Sequence, residues 1–398
     1  MKKNLINVIL FVLAFAVFTS CKKDEYETIQ IVKMISVKEM RALPTGITKA
    51  TPAKRTGKIY IYNDYLFINE PNEGIHIYNN ANPNAPVNVA FLKIPGNVDL
   101  AIHNNILYAD NFIDLLAFDL SDMNNIKQVK RLTDVFNQLY SPGSEKYLYT
   151  YKDTIVKKRT SKDKIYYDAY SNSSSQGGSG QGGSMARFTL MNDYLYTVGL
   201  NNLSLFDVKT ASNPTFLKAI TLAWGVETIF PYENKLFIGT NRGMHIFSAT
   251  DPANPVQLST YSHIFACDPV VVQGKYAYVT LRTGNTCRQA SNQLEVVDIE
   301  DPAKPKQLAV YPMQNPHGLS TSGDNLFLCE GNFGIKSFNI ANKTKIGDNL
   351  LQHLKNIKSF DVIAGPKSLI VTGEDGVYQF NYTNAANLKQ LSIIKAQL

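Results

Sequence analysis

The sequence is poor in the residues that most often announce chemistry. Four cysteines and six histidines are scattered over 398 residues. No Cys-x-x-Cys, His-Glu-x-x-His or Gly-x-Ser-x-Gly occurs, which leaves no signature of a redox dithiol, a zincin or a nucleophile elbow. Charged residues make up only 18% and hydrophobic residues 44%, too apolar a balance for a disordered chain. Beyond the first 20 residues no apolar run approaches the ~18 needed for a spanning helix. A net charge of +7 over this length is too mild to argue for nucleic acid. There is one tryptophan against 22 tyrosines and 20 phenylalanines. With 24 glycines and 17 prolines, that balance favours β structure with many turns over a helical bundle.

The N-terminus reads as a targeting segment, residues 1–20. Lys2 and Lys3 precede an apolar stretch, Leu5 to Phe18, too short to span a membrane. Phe18-Thr19-Ser20-Cys21 resembles a bacterial lipobox, with Phe where Leu is usual. The resemblance implies cleavage before Cys21 and lipidation of that cysteine; an ordinary secretory signal is the alternative. Lys22-Lys23-Asp24-Glu25 resembles the signal that sends Bacteroidetes lipoproteins to the outer face of the outer membrane. Residues 21–56 are then a tether and N-terminal arm, and the expected location is the outer membrane, exposed at the cell surface.

Internal similarity is the strongest feature. Turn starts recur at Asn82, Asp122, Thr210, Asp251, Asp301, Asn342 and Asn384, spaced by 40 to 42 residues except across two insertions. Four residues before each stands Tyr78, Phe118, Phe206, Phe247, Val297, Phe338 or Phe380. Three before stands Asn79, Asp119, Asp207, Ser248, Asp298, Asn339 or Asn381, and seven before an aliphatic or Met. Such a unit is an apolar strand ended by an Asx turn, which proline then keeps from continuing. With strands such as Tyr194-Leu195-Tyr196 upstream, each unit holds four strands in about 41 residues, the period of a propeller blade. The predicted fold is all-β: a seven-bladed β-propeller over residues 57–398, four antiparallel strands per blade, with a large inter-blade insertion.

Leu294-Glu295-Val296-Val297-Asp298, followed by Ile-Glu-Asp-Pro-Ala-Lys-Pro, is similar to the LVIVD repeat of bacterial and archaeal surface proteins. The similarity extends over roughly 57–398 and is strongest in blades four and five. It implies a surface propeller and no particular chemistry.

One insertion, roughly 134–185, lies between blades two and three. Its Tyr147-Leu-Tyr-Thr-Tyr151 and Lys164-Ile-Tyr-Tyr167 predict a protruding hairpin, and Ser171 to Ser184 a flexible return. The other, about Arg282 to Gln293, lengthens the loop between strands two and three of blade five. In antiparallel blades both open on one face, which marks it as the binding side. Cys267 and Cys287 fall on that face and are the expected disulfide; Cys329 is the competing partner or a buried small residue.

One position near the start of each innermost strand is ionisable in every blade: Lys58, Asp99, Arg187, Glu227, Asp268, His317 and Asp361. The four carboxylates offer oxygen ligands suited to Ca²⁺, and His317 an acid or base beside them. Lys58 and Arg187 favour ion pairing within the ring instead. Three functions compete. The first is a lipid-anchored, non-catalytic binding module presenting the insertion face to a protein or glycan. The second is an enzyme of hydrolase or lyase type using Asp268, His317 and Asp361. The third is an accessory subunit of an outer-membrane complex. Residues 1–60 carry 11 basic and 4 acidic residues, so an excess equal to the whole +7 sits in the first 60 residues, two of them the signal's lysines. That points toward a membrane and away from nucleic acid.

Overall fold

A computed structural model of the chain describes residues 26–136, 147–157, 181–262, 269–283 and 292–397. Seven antiparallel sheets follow one another along the chain, and the fold is a seven-bladed β-propeller. The innermost strands are Ile59–Tyr62, Leu100–His103, Phe188–Met191, Val226–Tyr232, Val270–Gln273, Leu319–Ser322 and Ser359–Ala364. Each blade adds its next three strands outward in sequence order, so no blade borrows a strand to complete its four.

The repeat signals have direct structural counterparts. In all seven blades the residue three before the turn start accepts a hydrogen bond from the backbone N–H two residues on, from Asn79 (3.0 Å) through Asp119, Asp207, Ser248, Asp298 and Asn339 to Asn381 (3.0 Å). Just before it, where the aromatic residue stands, the pairing with the outermost strand slips in every blade. Such a bulge adds local twist, which the outer edge of a blade needs.

Neighbouring blades are clasped through the same turns. The residue after the turn start offers its carbonyl to a hydroxyl of the preceding blade in six of the seven. Tyr108 donates to Ala211 (2.7 Å), Tyr196 to Pro252 (2.6 Å), Ser259 to Pro302 (2.7 Å) and Tyr311 to Lys343 (2.8 Å). Ser337 donates to Ala385 and Ser392 to Pro83, both at 2.6 Å. Tyr196→Phe keeps the packing and leaves the Pro252 carbonyl without its donor. The expected loss is about 1 kcal/mol, read as a lower urea midpoint at unchanged slope.

The ring closes by packing and side-chain hydrogen bonds, with no strand exchanged between blades one and seven. Ile59, Leu66 and Ile68 of blade one share a core with Ile363, Ile370, Val377 and Ile394 of blade seven. Gln379 and Asn80 exchange amide hydrogen bonds across the same joint at 2.7 and 3.0 Å. The N-terminal arm braces blades one and two from outside. Gly46–Thr48 adds an outer strand to blade one by pairing with Phe91–Lys93. The short helix Val37–Arg41, begun by a capping box of Ser36 and Glu39, places Arg41 on Asp114 (2.9 Å) and Asp134 (2.8 Å).

The chain divides into two compact units. Residues 36–148 and 172–398 form the propeller unit; the other comprises residues 1–35 and 149–171. Its described part is a two-stranded sheet of Tyr26–Ser36 and Tyr147–Lys157. The insertion's first strand therefore pairs with the N-terminal arm. Thr28-Ile29-Gln30-Ile31-Val32 supplies the β-branched run that makes the arm a strand partner, where a plain tether was expected. The other expected arm, 164–167, lies outside the described residues.

Candidate functional site: the channel mouth and the insertion face

The inner strands all start at one end of the channel. The long loops 133–187 and 282–292 open there, as do the remaining loops between second and third strands. This is the insertion face.

Its centre is filled by the chain itself. Gln181–Gly182 pairs antiparallel with Ile61 and Tyr60, on the channel side of blade one's inner strand. The next residues then cross the mouth. The Ser184 hydroxyl accepts the Leu319 N–H of blade six (2.8 Å) and donates to Asp361 of blade seven (3.4 Å). The Met185 carbonyl receives the Lys58 ammonium of blade one (3.3 Å), and the Ala186 carbonyl the Ile229 N–H of blade four (2.5 Å). Arg187 then gives its N–H to Asp99 of blade two (2.8 Å) before blade three begins. Ser184, Met185 and Ala186 are buried. At Gly183 no side chain fits, because a Cβ there would lie 2.0 Å from Asp361 Oδ2. The Gly/Ser-rich return, expected to be a flexible connection, thus ends in a plug.

Four ring residues meet around this plug. Lys58, 1% exposed, lies 3.4 Å from Asp99 Oδ2. Asp99 also accepts the Leu100 N–H (2.7 Å), and its backbone is held by Asp110, which takes the N–H groups of Val98 and Asp99 at 2.8 and 2.9 Å. Asp361 Oδ1 accepts its neighbour's Val362 N–H (2.9 Å), while Oδ2 has no hydrogen-bond partner. Burial dominates the electrostatics. It pushes Lys58 down to about 7 despite the attraction of Asp99, lifts Asp99 to about 6, and lifts Asp361 to about 7. Asp361, lifted further than Asp99, is the first of the two to take up a proton as the pH falls toward neutrality.

The remaining members stand apart. Glu227 is raised by burial, against the nearby positive charges of Arg282 and Arg187. His317 is pushed down to about 3, first by burial and then by the Arg282 charge, so it is a neutral imidazole at ordinary pH. It stacks edge-on against Phe360 and meets the Asn315 amide at 3.2 Å. Among the described residues no three His, Cys, Asp or Glu side chains come together as a metal site, so Asp99, Glu227 and Asp361 do not assemble the Ca²⁺ ligand set considered from sequence. Asp268, Cys21, Cys267 and Cys287 lie outside the described residues. Cys329 is buried and free, and burial holds its thiol well above the ordinary range.

Beyond the plug, exposed apolar side chains distinguish this face. Large apolar residues exposed on the propeller lie on the outer strands, or at Leu200, Trp224, Phe333 and Phe360 on the insertion face. The opposite face's loops expose none among the described residues. Leu200 and Trp224 adjoin, since the Leu200 carbonyl accepts the Gly225 N–H (2.9 Å). Phe333 and Phe360 sit on segments joined by paired Gly331–Ser359 backbone hydrogen bonds. No sequence pattern distinguishes these four from the buried aromatics. Only their position on loops of the insertion face does.

Residues 266–311 match the LVIVD repeat, which corresponds to blade five. No curated protein matches the chain. Among solved structures, a protein from Lactobacillus plantarum is 10% identical over 88% of this chain and 96% of its own, with a TM-score of 0.55. The computationally designed Ika8 protein is 8% identical over 86% and 89%, at 0.53. BamB from Moraxella catarrhalis is 8% identical over 88% and 96%, at 0.51. At these identities the likeness is one of fold.

Proposed function

We propose that the chain is a lipid-anchored, cell-surface binding module whose insertion face meets a protein or glycan ligand, without catalysis. The observation that carries this reading is the placement of exposed Leu200 and Trp224, and of Phe333 and Phe360, as two pairs on the loops and inner-strand starts of one face, while residues 183–187 cross the channel mouth. Aromatic side chains held out on a rigid scaffold give large contact area at low entropic cost. A neutral, buried His317 and an Asp361 fixed against the plug supply neither an exposed acid nor an exposed base, which weighs against the enzyme reading. The lipobox-like segment ending at Cys21 supports anchoring. In cells expressing the full chain, Cys21→Ser is expected to abolish incorporation of radiolabelled palmitate; retained label rules the anchor out. Protein extracted from those cells and coupled to a solid support is expected to retain a ligand that Trp224→Ala/Phe333→Ala loses. Equal retention by the double variant would show that another surface binds.

A further inference from the structure

Trp224 is the single tryptophan of the chain and is 70% exposed. Its loop is fixed. The Leu200 carbonyl accepts the N–H groups of Gly225 (2.9 Å) and Val226 (3.2 Å), and the Gly225 carbonyl accepts the Asn241 N–H (2.8 Å). Gly225 has φ +91°, and a Cβ there would lie 2.2 Å from the Asn241 side chain, so glycine is required for this close approach. On the preceding side the Leu222 N–H binds the Asn201 carbonyl (2.7 Å). The indole is therefore displayed by a braced loop.

Leu200 also borders a cleft of about 30 Å³, lined by Arg187, Asn201, Asn202 and Asp110 as well as apolar groups. That volume takes about two waters or one hydroxymethyl group. We propose that Trp224 and this cleft together bind a neutral carbohydrate chain, one sugar lying on the indole and a hydroxyl-bearing substituent reaching the Arg187–Asn201–Asn202 cleft. The proposal rests on the binding-module reading and chooses between its two ligand classes. A pyranose presents a flat C–H face to an aromatic ring and a rim of hydroxyls that donate and accept. The Asn201 and Asn202 amides and the Arg187 guanidinium in the cleft lining match that rim. A protein anchor would instead favour a recessed, dry apolar pocket, whereas this indole is 70% exposed. The charges lining the cleft are mixed, Arg187 against Asp99 and Asp110, which favours a neutral chain over a polyanion.

Because Trp224 is the only indole, its emission reports this site alone. The full chain, extracted in a detergent without a sugar headgroup, would be titrated with cellohexaose, maltohexaose, xylohexaose and chitohexaose. At least one is expected to shift the emission saturably and to give binding heat. Trp224→Ala is expected to lose that heat, and Asn201→Ala to weaken binding about tenfold while leaving the emission of the free protein unchanged. Heat that persists in Trp224→Ala would overturn the site. No response to any of the four sugars, with a shift on adding either outer-membrane protein extract or anionic phospholipid vesicles, would overturn the ligand class and leave the insertion face as the binding surface. No response to sugars, protein extract or vesicles would overturn both.

Discussion

Replacing Lys58 with methionine is expected to destabilise the propeller by about 3–5 kcal/mol near pH 6.5, where the ammonium still carries its proton and Asp99 ionises, and by much less at pH 5. The substitution keeps the volume and removes the ammonium that attracts both Asp99 and Asp361. Two buried carboxylates then have to ionise without a counter-charge or take up protons. At pH 5 they hold their protons and the loss shrinks. The unsubstituted cluster already leans this way. Asp361 and Asp99 have folded values of about 7 and about 6 against an ordinary 3.8. Between the ordinary value and these, the folded state binds more protons than the unfolded one, so stability falls as pH rises through that window. Lys58, at about 7 against 10.5, acts in the opposite sense above neutrality, where the unfolded chain holds the extra proton and stability rises with pH. The cluster's contribution is therefore least favourable near pH 7. Asp361→Asn removes one of the two carboxylates and its share of the decline. It should flatten the dependence between pH 4 and 7 and be at least as stable as the unsubstituted protein at pH 8. Urea denaturation across that range checks both variants, and an unchanged slope in Asp361→Asn would contradict the assignment.

Gly183→Ala is expected to expel the plug. Its Cβ would fall 2.0 Å from Asp361 Oδ2, and the carboxylate cannot swing aside because a Cβ on Gly318, beyond Oδ1, would already lie 2.1 Å away. Asp361 is also held from behind by the Val362 N–H. Overpacking of this kind costs about 1–3 kcal/mol, and the plug gives up its Ser184 contacts to blades six and seven on leaving. Gly274→Ala is the control, since a Cβ there meets nothing within 4 Å and only its φ of +59° opposes the change. Gly183→Ala should lower the urea midpoint and release the amides of 183–186 to exchange, whereas Gly274→Ala should lower the midpoint alone. A protected segment in Gly183→Ala would show that the path tolerates a side chain.

The blades were legible because three offsets carry physical duties that repeat: an aromatic residue at a bulge, an Asx acceptor two residues before an N–H, and an aliphatic core position. The ring of ionisable residues was legible for the same reason, as one position recurring in every blade. What occupies the ring was not. Gly182-Gly183-Ser184 has no apolar periodicity, and its burial follows from a fit against a carboxylate 177 residues further along the chain. Composition reads such a run as a linker. The pairing of Tyr147–Lys157 with Tyr26–Ser36 was hidden likewise, because register between distant strands leaves no local mark. The inter-blade clasps escaped because their donors, Tyr108, Ser259, Tyr311, Ser337 and others, occupy different strand positions and share only an acceptor. Trp224 was visible as a scarcity, but its exposure depends on Leu200 and Asn241, contributed by two different blades.

Hydrogen–deuterium exchange at residues 183–186 of the unsubstituted protein tests most directly whether the channel is closed by its own chain. These amides are expected to exchange as slowly as the inner strands of blades six and seven, because Ser184, Met185 and Ala186 are buried and their hydroxyl and carbonyls tie the segment to four other blades. Exchange at the rate of an exposed loop would contradict a plugged channel and restore the ring of Lys58, Asp99 and Asp361 as an open binding mouth.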